Sequence, residues 1–154
     1  SLDLALNDQR RAFSDAYHNI ILAESKIDIE LSAKNPFSRL PGLEVSDLKN
    51  TPCILVINQA GQQEEQEYYE TIIGLQGEFL FADTMQEARL KVVTGQGYLP
   101  VDVIGEQVWF DTTVCRIPLL RNGSPIKKTY CAFWKKDLSD SYIQEFAQIL
   151  KGCF

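Results

Sequence analysis

Few residues in this sequence could do acid–base, nucleophilic or metal chemistry. The single histidine, His18, lies in a polar stretch (QRRAFSDAYHN, residues 9–19) and reads as a solvated loop residue, not a general base. The four cysteines, Cys53, Cys115, Cys131 and Cys153, form no CxxC pair. Three of them sit inside apolar runs (CILVI, TVCRI and YCAFW), as buried thiols do. One imidazole and scattered cysteines give no ligand set for zinc, so no metal and no cofactor is expected. There is no GxSxG elbow, no P-loop and no HExxH. Gly95-Gln96-Gly97 follows a helical pattern and lacks a third glycine, so it reads as a helix stop and not a dinucleotide loop. The acidic run Gln63 to Glu67 reads as a solvated helix face. No catalytic constellation emerges, and the chain is expected not to be an enzyme. Binding chemistry is better represented. Asn58-Gln59-Ala60-Gly61 and Asp83-Thr84 each lead from a strand pattern into a helix pattern. Helix starts present free N–H groups and positive partial charge, so two of them at one sheet edge could receive a carboxylate, helped by the Thr84 hydroxyl and the Asn58 and Gln59 amides. The same residues could also do no more than cap and turn.

The chain has 154 residues, 45% apolar and 23% charged, enough for one modest domain or two small lobes with a real core. Net charge is −6, and the basic residues are scattered as Arg10–Arg11, Lys127–Lys128 and Lys135–Lys136. A domain that grips phosphates alone carries a basic stripe, so these residues are not expected to bind DNA themselves. No 18-residue apolar run and no leader pattern is visible, so no membrane span is expected. Apolar-embedded thiols suit a reducing, cytoplasmic setting.

The elements that must position any site follow from periodicity. Leu2, Leu4 and Leu6 alternate with polar or small residues and run into Asn7-Asp8, a strand ending in a turn signal. A core strand at the very start suggests that the domain's own opening is missing. Residues 20–31 form a long strand in which Ile27, Ile29 and Leu31 alternate with a wet face. Residues 53–103 read strand, helix, strand, helix, strand. CILVI is covered on both faces. Tyr68, Tyr69, Ile72 and Ile73 form one helical stripe. Asp83 with Gln86 reads as a capping box, and Met85, Ala88, Val92 and Val93 form the buried face of the next helix. Short links make this a parallel sheet with crossover helices. Strands at 113–119 and 128–135 follow, then a helix capped by Ser139 or Ser141 with Tyr142, Ile143, Phe146, Ile149 and Leu150 on one stripe. The half-wet strands 25–33 and 128–135 bracket the α/β block, as if one lobe were inserted into another.

In order and spacing, these segments resemble the effector-binding domain of LysR-type transcription regulators. Thr94-Gly95-Gln96-Gly97-Tyr98-Leu99-Pro100 is similar to the family's "aGxGia.lP" strand, with Gln96 where small residues are common. Val45-Ser46-Asp47-Leu48 followed by CILVI resembles "v.dL...p.ilv". Residues 116–136 and the last helix resemble the family's "R.PL", "y..w+k" and "F...L" ending, and Leu2 to Asp8 its "geLDlai" strand.

The resemblance implies an α/β, periplasmic-binding-protein-like type II fold, with two lobes joined by two crossing strands and lobe I incomplete. Residues 1–30 and 129–154 would form partial lobe I, and 31–128 lobe II. A small, anionic effector would bind in the interlobe cleft and change the lobes' relative angle, switching how the full-length oligomer presents its DNA-binding domains. DNA would be met only through an N-terminal helix-turn-helix absent from these residues. Carried over by position, the effector residues would be Asn58, Gln59, Asp83, Thr84, Pro100 and Val101 from lobe II, and Asn7 and Asp8 from lobe I. Ala33 and Phe133 would sit near the crossing strands. Missing lobe I material would leave strand 2–6 and the last helix partly uncovered, so self-association is expected. The alternative on the same fold is the solute-binding protein of a transporter.

Overall fold

Ile27, Ile29 and Leu31 place their side chains on one face of an extended chain, and all three are buried. The strand they belong to, β2, runs from Tyr17 to Ser32. A computed structural model describes the backbone of residues 5–8, 17–105, 109, 111–135, 148–149 and 151–152, and side chains within 24–129 and at the described positions beyond 147. In chain order the strands are β1 (Ala5–Asp8), β2, β3 (Leu43–Glu44), β4 (Cys53–Val56), β5 (Phe79–Ala82), β6 (Leu99–Ile104), β7 (Val114–Arg121), β8 (Ser124–Pro125) and β9 (Lys127–Lys135). Helix α1 (Gln62–Glu67) continues into a π-helical stretch, Tyr68–Ile73, and α2 spans Met85–Val93.

The chain divides into two compact units, residues 1–25 with 127–154, and residues 26–126. In the first, β1 lies antiparallel to β9, with Ala5 opposite Phe133 and Asp8 opposite Tyr130. Asn7 and Asp8, expected as a turn, are therefore strand residues, because ladder pairing outweighs their turn preference. Likewise β2 starts at Tyr17, inside the stretch expected as a loop. The last helix is described only at 148–149 and 151–152, where Ile149 is exposed; Ser139, Ser141, Tyr142, Ile143, Phe146 and Leu150 lie outside the described residues.

In the second unit β7 pairs antiparallel with β2 over Asp28–Ser32, and β3 runs parallel to β7. The β4 strand is covered on both faces, as its unbroken apolar run predicts: Cys53 and Leu55 join one core cluster with Tyr69, Ile73 and Tyr98, and Ile54 joins a second with Ala88, Val92 and Leu99. It lies parallel to β5 and makes a parallel bridge from Cys53 to Tyr98. Beyond that bridge the chain leaves the expected three-stranded parallel block, and β6 pairs with β2 instead. Pro100, which has no N–H to donate, sits where the strand changes partner.

Three local expectations shift. Tyr69 and Ile73 are buried but Ile72 is 57% exposed, because the π-helical turn is wider than an α turn and rotates Ile72 outward. Thr84, not Asp83, caps α2: its hydroxyl accepts from Glu87 N–H at 3.1 Å, while the Glu87 carboxylate accepts from Asp83 N–H at 3.0 Å. Met85 and Val93 are exposed, while Ala88 and Val92 face the core.

The Gly95-Gln96-Gly97 stretch contains two different requirements. Gly95 has a φ of +78° and ends α2 in the left-handed region. At Gly97 the chain presses against β4's lead-in, where Tyr98 N–H donates to the Pro52 carbonyl at 2.9 Å, and a Cβ would fall onto that same oxygen. Gln96 is exposed and bears on neither. Gly97→Ala is expected to cost about 1–3 kcal/mol and Gly95→Ala about 1 kcal/mol, with Gln96→Ala near neutral. Urea unfolding midpoints check the order, and a Gln96 variant weaker than the Gly97 variant would contradict it.

Candidate functional site

The second unit contains a buried carboxylate. Glu30 stands on the face of β2 opposite to Ile29 and Leu31 and is fully buried. Its cross-strand partner in the register is Arg116 of β7, an opposite-charge pair on adjacent strands. Arg116 approaches Glu30 Oε2 through Nε at 3.3 Å and Nη2 at 3.2 Å. Arg89, from the turn of α2 that buries Ala88, grips the same carboxylate with Nε on Oε1 at 3.0 Å and Nη2 on Oε2 at 3.1 Å. This two-point grip raises the Arg89 pKa above its ordinary value, against the opposing effect of partial desolvation. Trp109 lies beneath both guanidiniums, 3.9 Å from Arg116 and 5.4 Å from Arg89 to the ring centroid.

Trp109 is held locally. Its indole N–H donates to the Val114 carbonyl at 2.9 Å. Asp111 accepts from the Thr113 hydroxyl and N–H and from Val114 N–H, and these bonds, the hydroxyl's first, hold its pKa below the usual carboxylate value.

Beside this cluster is a cavity of about 280 Å³. Leu55, Val56, Leu99, Pro100 and Val101 give it apolar walls from β4 and β6, with Tyr69 and Met85 from the helices. Its charged lining is Arg89, Arg116, Glu65 and Asp102. Of Arg89's three nitrogens two are spent on Glu30; Nη1 has no hydrogen-bond partner among the described residues, and the side chain is 40% exposed.

The ten residues expected from the sequence are placed as follows. Pro100 and Val101 line this cavity. Thr84 and Asp83 are exposed at the start of α2, where both serve its cap. Asn58 is exposed and accepts from Gly61 N–H at 3.1 Å; Gln59 lines a separate, open surface depression along α1. Ala33 is exposed just past β2, its N–H donating to the Thr113 carbonyl at 2.9 Å. Asn7 and Asp8 lie in β1 and Phe133 in β9, in the other unit, and their side chains lie outside the described set. The sequence reading passed over Glu30, Arg89, Arg116 and Trp109. It had a signal for two of them: a glutamate in β2 and an arginine inside the apolar run TVCRI, each a charge within a core strand.

Among the described residues the cysteine side chains supply no site. Burial pushes the Cys53 thiol up to about 12, with the neighbouring Tyr98 hydroxyl pulling the other way. Cys115 is also raised by burial. Cys131 has only its backbone described, and Cys153 lies outside the described residues. Among the described residues no group of three or more His, Cys, Asp or Glu could hold a metal, and no helix is long and apolar enough to cross a membrane.

No protein-family model matches the sequence, and no curated protein matches it by sequence. Solved structures match over nearly the whole chain. The regulatory domain of reduced OxyR from Pseudomonas aeruginosa covers 99% of this chain and 73% of its own, with a TM-score of 0.70 and 11% identity. The regulatory domain of MetR, a LysR family regulator from N. meningitidis, covers 97% and 69%, with a TM-score of 0.72 and 11% identity. This chain has the fold of LysR-family regulatory domains. HinK, a LysR family transcriptional regulator from Pseudomonas aeruginosa, matches 97% of the chain at a TM-score of 0.69 and 17% identity, and the chain spans about half of its length. The α/β, periplasmic-binding-protein-like type II class expected from the sequence is the class observed. At these identities the likeness is one of fold.

Removing the Glu30 charge leaves two guanidiniums facing each other without their shared anion. Glu30→Gln is expected to lower stability by about 3–5 kcal/mol. Arg89→Leu is expected to cost less, because Arg116 still neutralises Glu30 and Arg89 is partly solvated. Urea unfolding checks this, and an Arg89 variant less stable than the Glu30 variant would contradict it.

Proposed function

We propose that this chain is the effector-sensing part of a LysR-type transcription regulator. It holds a small metabolite with an anionic group and passes that binding on to DNA binding or activation by the full-length protein. The fold match along 97–99% of the chain carries this reading. The reading keeps the two effector lobes expected from the sequence, 1–30 with 129–154 and 31–128, and the division of the chain into units 1–25 with 127–154 and 26–126 supports it. Pro100 and Val101, from the expected effector set, line a cavity that also presents the Arg89 Nη1 edge, a fitting receiver for a carboxylate. At about 280 Å³ the cavity suits a small metabolite, below the range of drug-sized ligands. No catalytic step is assigned: the site offers fixed charge and apolar wall, with no nucleophile paired to a base. DNA contact is assigned to a helix-turn-helix outside these residues, consistent with the net charge of −6. Self-association through the family's usual pairing belongs to the same proposal.

In such a regulator the ligand acts only through its differential affinity for two states. Gel retardation of the complete gene product on DNA from its own promoter region, with and without small carboxylate metabolites, tests the reading. The expected result is DNA binding whose apparent affinity a metabolite changes about 5–150-fold. A gene product with an export leader and no affinity for DNA would instead be a transporter's solute-binding protein, and would overturn it.

A further inference from the structure

We infer that the ligand of the second-unit cavity is zwitterionic: a small α-amino acid with an apolar side chain, its carboxylate on Arg89 and its ammonium facing Asp102 and Glu65. This rests on the cavity's being the sensing site. The charge arrangement is the reason. Two guanidiniums line the cavity, but the buried Glu30 already balances one of them, and Asp102 and Glu65 add two carboxyls to the lining. With Glu30 counted, carboxyls outnumber guanidiniums three to two, so a purely anionic ligand would enter a site with an excess of its own sign. A zwitterion avoids that penalty and uses both signs.

Each half of such a ligand has a place. Arg89 is held on Glu30 through Nε and Nη2 above Trp109, so its Nη1 donors are fixed before any ligand arrives. Asp102 follows Pro100 and Val101 on β6, and Glu65 stands on α1. Both carry interactions of their own, but a carboxylate has about four acceptor positions and can add an ammonium. Between the two poles the wall is Leu55, Leu99, Val101 and Met85, which suits an aliphatic or thioether side chain.

Isothermal titration of the 154-residue chain with L-leucine and L-methionine tests this, with 4-methylpentanoate and 3-methylbutylamine as leucine analogues lacking the ammonium or the carboxylate. The expected result is binding of at least one amino acid, with both analogues about tenfold or more weaker than L-leucine or undetected. Asp102→Asn, at an exposed position, should weaken the amino acid about tenfold or more and leave 4-methylpentanoate as tight or tighter. Arg89→Leu, checked for folding by its thermal transition, should abolish both. Equal binding of L-leucine and 4-methylpentanoate would overturn the zwitterion while leaving a carboxylate sensor standing. Binding of neither amino acid at millimolar concentration would overturn it too, and the DNA retardation result would then judge the sensor reading separately.

Discussion

The carboxylate of Glu30, buried and held by two arginines, is the interaction on which the second unit's architecture and chemistry both depend. Desolvating a carboxylate is costly, and the cost is offset only when its oxygens are fully engaged. Here the engagement comes from two directions. Arg116 reaches Glu30 across the β2–β7 pair, and Arg89 reaches it from α2. The contact therefore ties the helix to the strand pair beyond the cluster that Ala88 and Val92 share with Val114 of β7, since Ile29 and Ile117 sit in the other cluster. A network of this kind specifies one arrangement: α2 cannot rotate or slide without breaking the two-point Arg89 grip. The same constraint makes Arg89 useful. An arginine free to roam would lose side-chain entropy on meeting a ligand, whereas this one is already ordered by Glu30 and Trp109.

The rest of the unit supports that placement. With both faces of β4 covered, its apolar run provides the cavity's floor at Leu55 and Val56, while β5 and the Tyr98 carbonyl take up its backbone hydrogen bonds. Gly97 lets the following segment close onto Pro52, and this brings Leu99, Pro100 and Val101 to the cavity wall before β6 departs to β2. Arg121, donating to the Ile72 and Ile73 carbonyls at 2.7 and 2.6 Å, closes the π-helical stretch whose Tyr69 lines the same cavity.

How much of this was legible in the sequence depended on the kind of force involved. Hydrophobic periodicity located the β4–α1–β5–α2 succession, and the order of weak motifs pointed to the fold class. Local turn chemistry was read less well. Asn7-Asp8 look like a turn and pair as strand, the cap of α2 is Thr84 in place of Asp83, and Met85 and Val93 lie at the surface. The charged cluster was the largest omission. Alternation placed Glu30 on a wet face, because a lone strand gives no means of knowing that Arg89, 59 residues away, covers it. A site built from three distant elements becomes visible only when the strand register and the helix rotation are known.

Side-chain nitrogen NMR of Arg89 tests the central claim most directly, since a guanidinium gripped at Nε and Nη2 rotates slowly about its Nε–Cζ and Cζ–Nη bonds. The account predicts two resolved Arg89 Nη resonances in the ligand-free protein, collapsing to one averaged signal in Glu30→Gln. A single averaged signal in the unaltered chain would show that Glu30 does not pin Arg89, and would contradict the account.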